Sequence, residues 1–161
     1  MNDELVNKLT KINKYFPVPL DVREIGGGKW LLLKDYIYRD PVYGTIIVPA
    51  GFITDLYSIP HPLRSIVSRV QECNGPAVVH DWIYRTQRFK QSWCDDVLQR
   101  AMKLHWSPVD RIDRKKIKWG LKLGGWAGYR KARKHYNVIG LEVGHIPTDR
   151  EIIISYYRVL L

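Results

Sequence analysis

Cysteine is scarce. The two thiols, Cys73 and Cys94, lie in different segments without CxxC pairs or zinc-ligand spacing, which excludes a disulfide-stapled scaffold and a zinc ribbon. They read as structural thiols: their spacing allows a bond between them, but a cytosolic compartment argues against it. Long apolar runs are also missing. No stretch approaches the roughly 18 consecutive apolar residues of a membrane helix, and the opening "MNDELVNKLTKINKYF" is charged and amphipathic rather than signal-like. A soluble chain made in the cytosol is expected. Acidic residues are few, 16 against 26 Lys and Arg, for a formal charge of +10. That balance favours anionic partners: nucleic acid, phospholipid headgroups or an acidic protein surface. No internal repeat, low-complexity linker, helix-turn-helix spacing or RNA-binding motif stands out, so a DNA-binding regulator would rest on charge alone.

What is present is a globule. With 161 residues, 45% of them hydrophobic, the chain holds one core and is too short for two ordinary domains. A single domain over 1–161 is expected, with an N-terminal helical arm at 1–19 and a C-terminal strand or tail at 137–161. In the arm, Leu5, Leu9, Ile12 and Phe16 recur at helical spacing until Pro17 and Pro19 end the run. Between about residues 20 and 55, "LDVREI", "KWLLLKDYIYRD" and "GTIIVPAGFI" are rich in β-branched and aromatic residues. Turn signals at glycines 26 to 28 and at Asp40, Pro41 and Gly44 separate them, which predicts a small antiparallel β-meander.

Beyond Pro60 the pattern becomes helical. A short helix is predicted over Pro62 to Val70, and a second opens at Gly75 and Pro76 and runs to about Arg85. Ser92 is placed as N-cap of a third, with Asp95 in its first turn. A long basic helix is predicted from about 109 to 135, and "EIIISYYRVLL" as a terminal strand. The fold class is α+β, a small sheet packed on a helical bundle.

Folding "AVVHDWIYRTQRFKQSWCDDVLQRAM" about Gln87 and Arg88 as an antiparallel helix hairpin (about 75–104) places His80 level with Asp95. Asp95, Leu98, Met102 and His105 share one stripe, and Ala77, His80 and Tyr84 another. Asp81 then points about 100° away from His80. A carboxylate on one imidazole nitrogen fixes the tautomer and leaves the other free to take a proton from water. A further carboxylate could hold a divalent cation that polarises an ester or phosphoryl oxygen. His80 is therefore the candidate base, Asp95 its orienter and Asp81 a metal ligand. The alternative is a structural tie between two helices. Upstream, "VPAGFITDLYSIPHPLR" holds Asp55, Ser58 and His61 in an otherwise apolar loop. Asp55 either enters the same cleft as a second metal ligand or, with Thr54 and Ser58, caps the loop. Convergence of Asp55, His80, Asp81 and Asp95 is what the enzymatic reading requires.

The order "VPAGFITDLYSIP", "AVVHDWIY" and "CDDVLQRAM" resembles an uncharacterised bacteriophage and prophage family with the pattern VPxGFxTDxxSIP, AxxHDxxY and a later helix headed by aspartate. The resemblance spans roughly residues 30 to 130. It implies a phage origin, synthesis in the host cytoplasm, a place in the virion as one alternative, and other phage structural proteins as partners. His80, Asp81 and Tyr84 also resemble the HDxxY catalytic helix of phospholipases A2, and Cys94–Asp95 that family's later Cys-Asp step. This resemblance implies calcium on Asp81, and Tyr84 and Asp95 holding His80. Ile83 stands where secreted members carry a half-cystine, and no GxG loop precedes His80, so Asp55 or the Gly51 loop would complete the site.

In the basic helix, Arg111, Arg114, Lys115, Lys116, Lys118, Lys122, Arg130, Lys131, Arg133 and Lys134 crowd one segment with Trp119, Trp126 and Tyr129 among them. Such a segment suits nucleic acid or an anionic membrane interface, or else has its aromatics in the core and its cations in solvent. Glycines 120, 124 and 128 offer a smooth ridge for helix packing. Two functions follow and stay open: a phage-encoded, metal-dependent ester hydrolase built on His80, Asp95 and Tyr84 with Asp81 and Asp55 as metal ligands; or a non-catalytic tail, portal or head-to-tail assembly component.

Overall fold

The computed structural model describes residues 13–56, 73–86 and 90–125. The helix over Pro62 to Val70, the basic helix beyond 125 with Trp126 and Tyr129, the C-terminal strand and most of the N-terminal arm lie outside the described residues, as do Ser58 and His61.

Among the described residues, five short strands are followed by three α-helices, an α+β arrangement. Strand β1 (Val22–Gly26) turns into β2 (Lys29–Leu32) through Gly26, Gly27 and Gly28. All three have positive φ, which residues with a Cβ rarely adopt, so glycine is what permits the tight reversal. Strand β3 (Tyr36–Asp40) pairs antiparallel with β4 (Gly44–Val48), from Tyr36 opposite Val48 to Asp40 opposite Gly44. The Asp40 carboxylate closes this hairpin by accepting from the backbone N–H groups of Val42 and Tyr43, both at 2.9 Å.

The predicted meander is corrected at this point. All pairing is antiparallel, but β2 pairs with the two-residue β5 (Ile53–Thr54) rather than with β3. The result is a three-stranded sheet in the order β1-β2-β5 and a separate two-stranded sheet β3-β4. The run "KWLLLKDYIYRD" is broken at Leu33 to Asp35, where the Leu33 N–H donates to the Asp21 carbonyl and Asp35 accepts from the Ala50 N–H. These bonds turn the chain out of one sheet and into the other.

Of the N-terminal arm, only residues 13–19 are described, and these are not helical. The Asn13 side chain accepts from the N–H groups of Tyr15 and Phe16, an alternative to helix that asparagine readily offers. Its amide nitrogen donates to the Leu104 carbonyl, 91 residues away in sequence. Phe16 is fully buried and stacks on Tyr38 with ring centroids 4.6 Å apart.

Helix α1 (Asn74–Thr86) carries Pro76 in its first turn, where the missing N–H is not needed. It is buried on nearly every side, with Asn74, Asp81 and Arg85 the half-buried exceptions. Gly75 sits where an added Cβ would meet the Tyr36 hydroxyl and His105 Nε2, so a side chain here would have to displace those groups. Helix α2 (Gln91–Leu104) begins one residue before Ser92; the N-cap is Lys90, whose side chain makes no capping bond. Ser92 is thus inside the helix. Helix α3 (Arg111–Gly120) is capped by Asp110, which accepts from the N–H groups of Ile112 at 2.7 Å and Asp113 at 2.9 Å. At Leu121–Gly125 the expected unbroken helix gives way to a π-helical turn.

Two buried clusters result. The larger joins both sheets to α1 and α2 through Phe16, Tyr36, Phe52, Val79, Ile83 and Val97. The smaller holds Cys73, Leu98, Met102, Val109, Ile117 and Leu121, and fixes α3 to α2. Both thiols are buried and form no disulfide with each other. No described helix is long and apolar enough to cross a membrane.

Candidate active site

Positions four apart on a helix share a face, and α1 uses two such pairs on adjoining faces. His80 and Tyr84 face α2; Asp81 and Arg85 face β5. On the first face, the His80 imidazole Nε2 lies 3.2 Å from Asp95 Oδ1, and the Tyr84 hydroxyl donates to that same oxygen at 2.5 Å. The two rings tilt against each other with centroids 4.0 Å apart. Burial first, then the hydrogen bond to Asp95 and its charge, push the Tyr84 phenol far above its ordinary value, so it remains a donor. Because a carboxylate only accepts, Nε2 is the donor to Asp95, and in the neutral ring Nδ1 then presents a lone pair. That Nδ1 is buried and has no hydrogen-bond partner among the described residues.

His80 is 2% exposed, while the Asp95 side chain reaches solvent at 22%. Asp96, by contrast, is exposed. Beside the pair, the Cys94 thiol lies 3.9 Å from the Ile83 carbonyl, and burial, with the charge of Asp95, pushes it up to about 12. It is a packing residue rather than a nucleophile.

On the second face, the Thr54 hydroxyl donates to Asp81 Oδ2 at 2.6 Å and accepts from the Leu56 N–H at 3.0 Å. Arg85 donates to the Ile53 carbonyl at 2.9 Å, with its guanidinium 5.1 Å from the Phe52 ring centre. The chain leaves β5 through Leu56 in a left-handed conformation (φ 57), which the Thr54 bond helps to hold. Asp55, the other expected metal ligand, is half-buried at this exit.

Thus His80, Tyr84 and Asp95 converge as one group and Asp81 is bound to Thr54 on the adjoining face, so of the four side chains expected to converge, Asp55, His80, Asp81 and Asp95, only His80 and Asp95 are seen to meet. Among the described residues, no three His, Cys, Asp or Glu side chains form a group able to hold a metal ion. A cation at Asp81 and Asp55 would therefore need donors beyond these carboxylates and His80.

Residues 30–115 match the family described as protein of unknown function, DUF1353. The chain belongs to the DUF1353 family. The DUF1353 segment runs from β2 into α3 and contains every side chain of both faces. No curated protein and no solved structure matches the chain.

Within the DUF1353 segment, sequence reasoning passed over two contributors. Thr54 was expected at most to cap a loop, and Arg85 only marked a helix end. The available signal was the pair Asp81 and Arg85, opposite charges four apart on a helix otherwise apolar, which need polar groups across from them.

Proposed function

We propose that this DUF1353 protein is an ester hydrolase in which His80 is the general base, positioned by Asp95 and Tyr84. The orphaned Nδ1 of His80 is the observation that carries this reading. A buried acceptor without a partner costs on the order of 1–3 kcal/mol. A catalytic base needs that lone pair free. In the proposed step, Nδ1 takes a proton from water as the water oxygen bonds to the ester carbonyl carbon. The tetrahedral intermediate then collapses, and the same proton passes to the departing alkoxide. Asp95 holds the ring and balances the charge on the imidazolium, while Tyr84 fixes Asp95.

Esters of anionic lipids are the proposed substrates, by the resemblance of His80, Asp81, Tyr84 and Asp95 to phospholipase A2. That resemblance also suggests calcium near Asp81. The described donors do not complete such a site, so no step is derived through it. The test is hydrolysis of labelled phosphatidylglycerol vesicles, with calcium and with a chelator. His80→Gln is expected to lower turnover by about 100-fold or more, the usual contribution of a general base, with unchanged circular dichroism. Undiminished turnover in that variant would sink the assignment.

A second reading is favoured by the deep burial of His80 and by the Thr54 bond to Asp81: a non-catalytic virion component of a phage, in which these groups are a polar core network. It predicts no turnover by the parent chain, fixed copy number in purified particles, and unfolding as the main effect of substitution at His80.

A further inference from the structure

Among the described residues, helix α3 turns one face to α2 and leaves the other uncovered. Its inward side buries Asp113, Ile117 and Gly120, and the turn that follows buries Leu121. On the outward side, Ile112 is 68% exposed, Trp119 65% and Leu123 76%. Of the alternatives left open for this segment, aromatics in the core does not hold for Trp119. At about 100° per residue, these three align in one stripe. Arg111, Lys115, Lys118 and Lys122, all exposed, form a second stripe directly beside it. The ammonium of Lys122 lies 5.9 Å from the Trp119 ring centre, joining the two. Between 111 and 123 the single acid is Asp113, which is buried and bonded to Lys116 at 2.8 Å. The outward face therefore carries four cations and no anion.

We infer that this face of α3 docks on an anionic phospholipid surface. The argument is complementarity of two kinds. Cations alone would serve nucleic acid, and a tryptophan could stack on a base, but Ile112 and Leu123 have no counterpart on a phosphate backbone. An anionic bilayer takes all seven side chains: the apolar stripe enters the boundary between headgroups and acyl chains, and the lysines extend their stems along it to reach phosphate. Three bulky apolar groups held in water by a well-capped helix are costly unless something receives them. The docking does not depend on catalysis by His80, so a chain that hydrolyses nothing would bind equally well.

The test is sedimentation of the full chain with vesicles of phosphatidylcholine alone, or of phosphatidylcholine mixed with phosphatidylglycerol. Binding is expected on the mixed vesicles, weakening as salt rises. Replacing Ile112, Trp119 and Leu123 together by serine should weaken it about tenfold or more at every salt concentration. Lys115→Gln with Lys118→Gln and Lys122→Gln should weaken it and flatten the salt dependence. Leu123→Ser alone, at the most exposed of the three apolar positions, repeats the test with little demand on folding, which a thermal melt checks. The inference is overturned if the parent chain ignores mixed vesicles at low salt, or if the serine variants bind them as tightly as the parent does. Tighter binding to duplex DNA at the same salt, lost on the same serine substitutions, would also overturn it.

Discussion

His105 shows how a single side chain ties acid sensitivity to position. It follows α2, with Nε2 3.2 Å from the Tyr36 hydroxyl, the edge of the Phe16 ring against it and Gly75 pressed close. Burial lowers its pKa from 6.5 to about 4. A base with a depressed folded value contributes stability in full above its unfolded value and loses it as pH falls toward the folded one. The unfolded chain binds the proton that the folded chain refuses, so this contribution should fade between about pH 6.5 and 4. Urea midpoints at pH 7 and pH 5 check it: the parent should lose more on acidification than His105→Gln does. An equal loss in both would place the acid sensitivity elsewhere.

Between elements, the strongest polar tie is Asp40 with Arg100, which joins the β3-β4 hairpin to α2. The Asp40 side chain is fully buried and receives the Arg100 Nε at 2.9 Å and the Tyr38 hydroxyl at 3.0 Å. Burial alone would raise the Asp40 carboxyl, but the guanidinium and the N–H groups of Tyr43 and Val42 outweigh it and hold it below the usual value. Arg100 also lies 4.8 Å from the Tyr43 ring centre, and Tyr43 stacks on Trp93 at 4.1 Å. Removing the charge from one partner of such a pair strands the other. Asp40→Asn should therefore cost about 3 kcal/mol in urea unfolding, and changing Arg100 to Met in that background should recover part of it. The hairpin itself was legible in "DYIYRDPVYGTIIV", since its turn residues and inward Tyr36, Tyr38, Ile46 and Val48 follow a period of two. Arg100 as the partner of Asp40 was not, because nothing local distinguishes it from any other helix-surface arginine.

At the scale of the whole molecule, the two clusters meet along α2. Ile117 is fully buried in the smaller one, and truncating it leaves a cavity that α3 alone borders on one side. Ile117→Ala is expected to cost about 3 kcal/mol and to act unevenly. Amide exchange should speed up in α3 while the His80 and Asp95 faces of the α1 and α2 hairpin keep their protection. Equal acceleration throughout would mean that the clusters unfold as one unit. The same separation lets the lipid-docking face and the His80 group be tested apart, since α3 touches α2 through Leu98 and Met102 rather than through Asp95.

Helical period and chain reversal are local properties, and they sufficed to bring His80 opposite Asp95: two amphipathic segments of similar length, joined by a short connection, have few other ways to bury their stripes. The same locality placed Asp81 about a quarter turn away and turned the chain at glycines 26 to 28. Which strand pairs with which is a different kind of information. Alternation by two says that "KWLL" and "YIYRD" are strands, but both are satisfied by any antiparallel neighbour that covers their apolar side, so the choice of β5 over β3 fell to the bonds at Leu33 and Asp35. That choice set Thr54 against Asp81, 27 residues away in sequence. Exposure was decided the same way. Trp119 reads as core or surface equally well until α3 is seated on Leu98 and Met102, because burial depends on what packs against a helix and not on the helix alone.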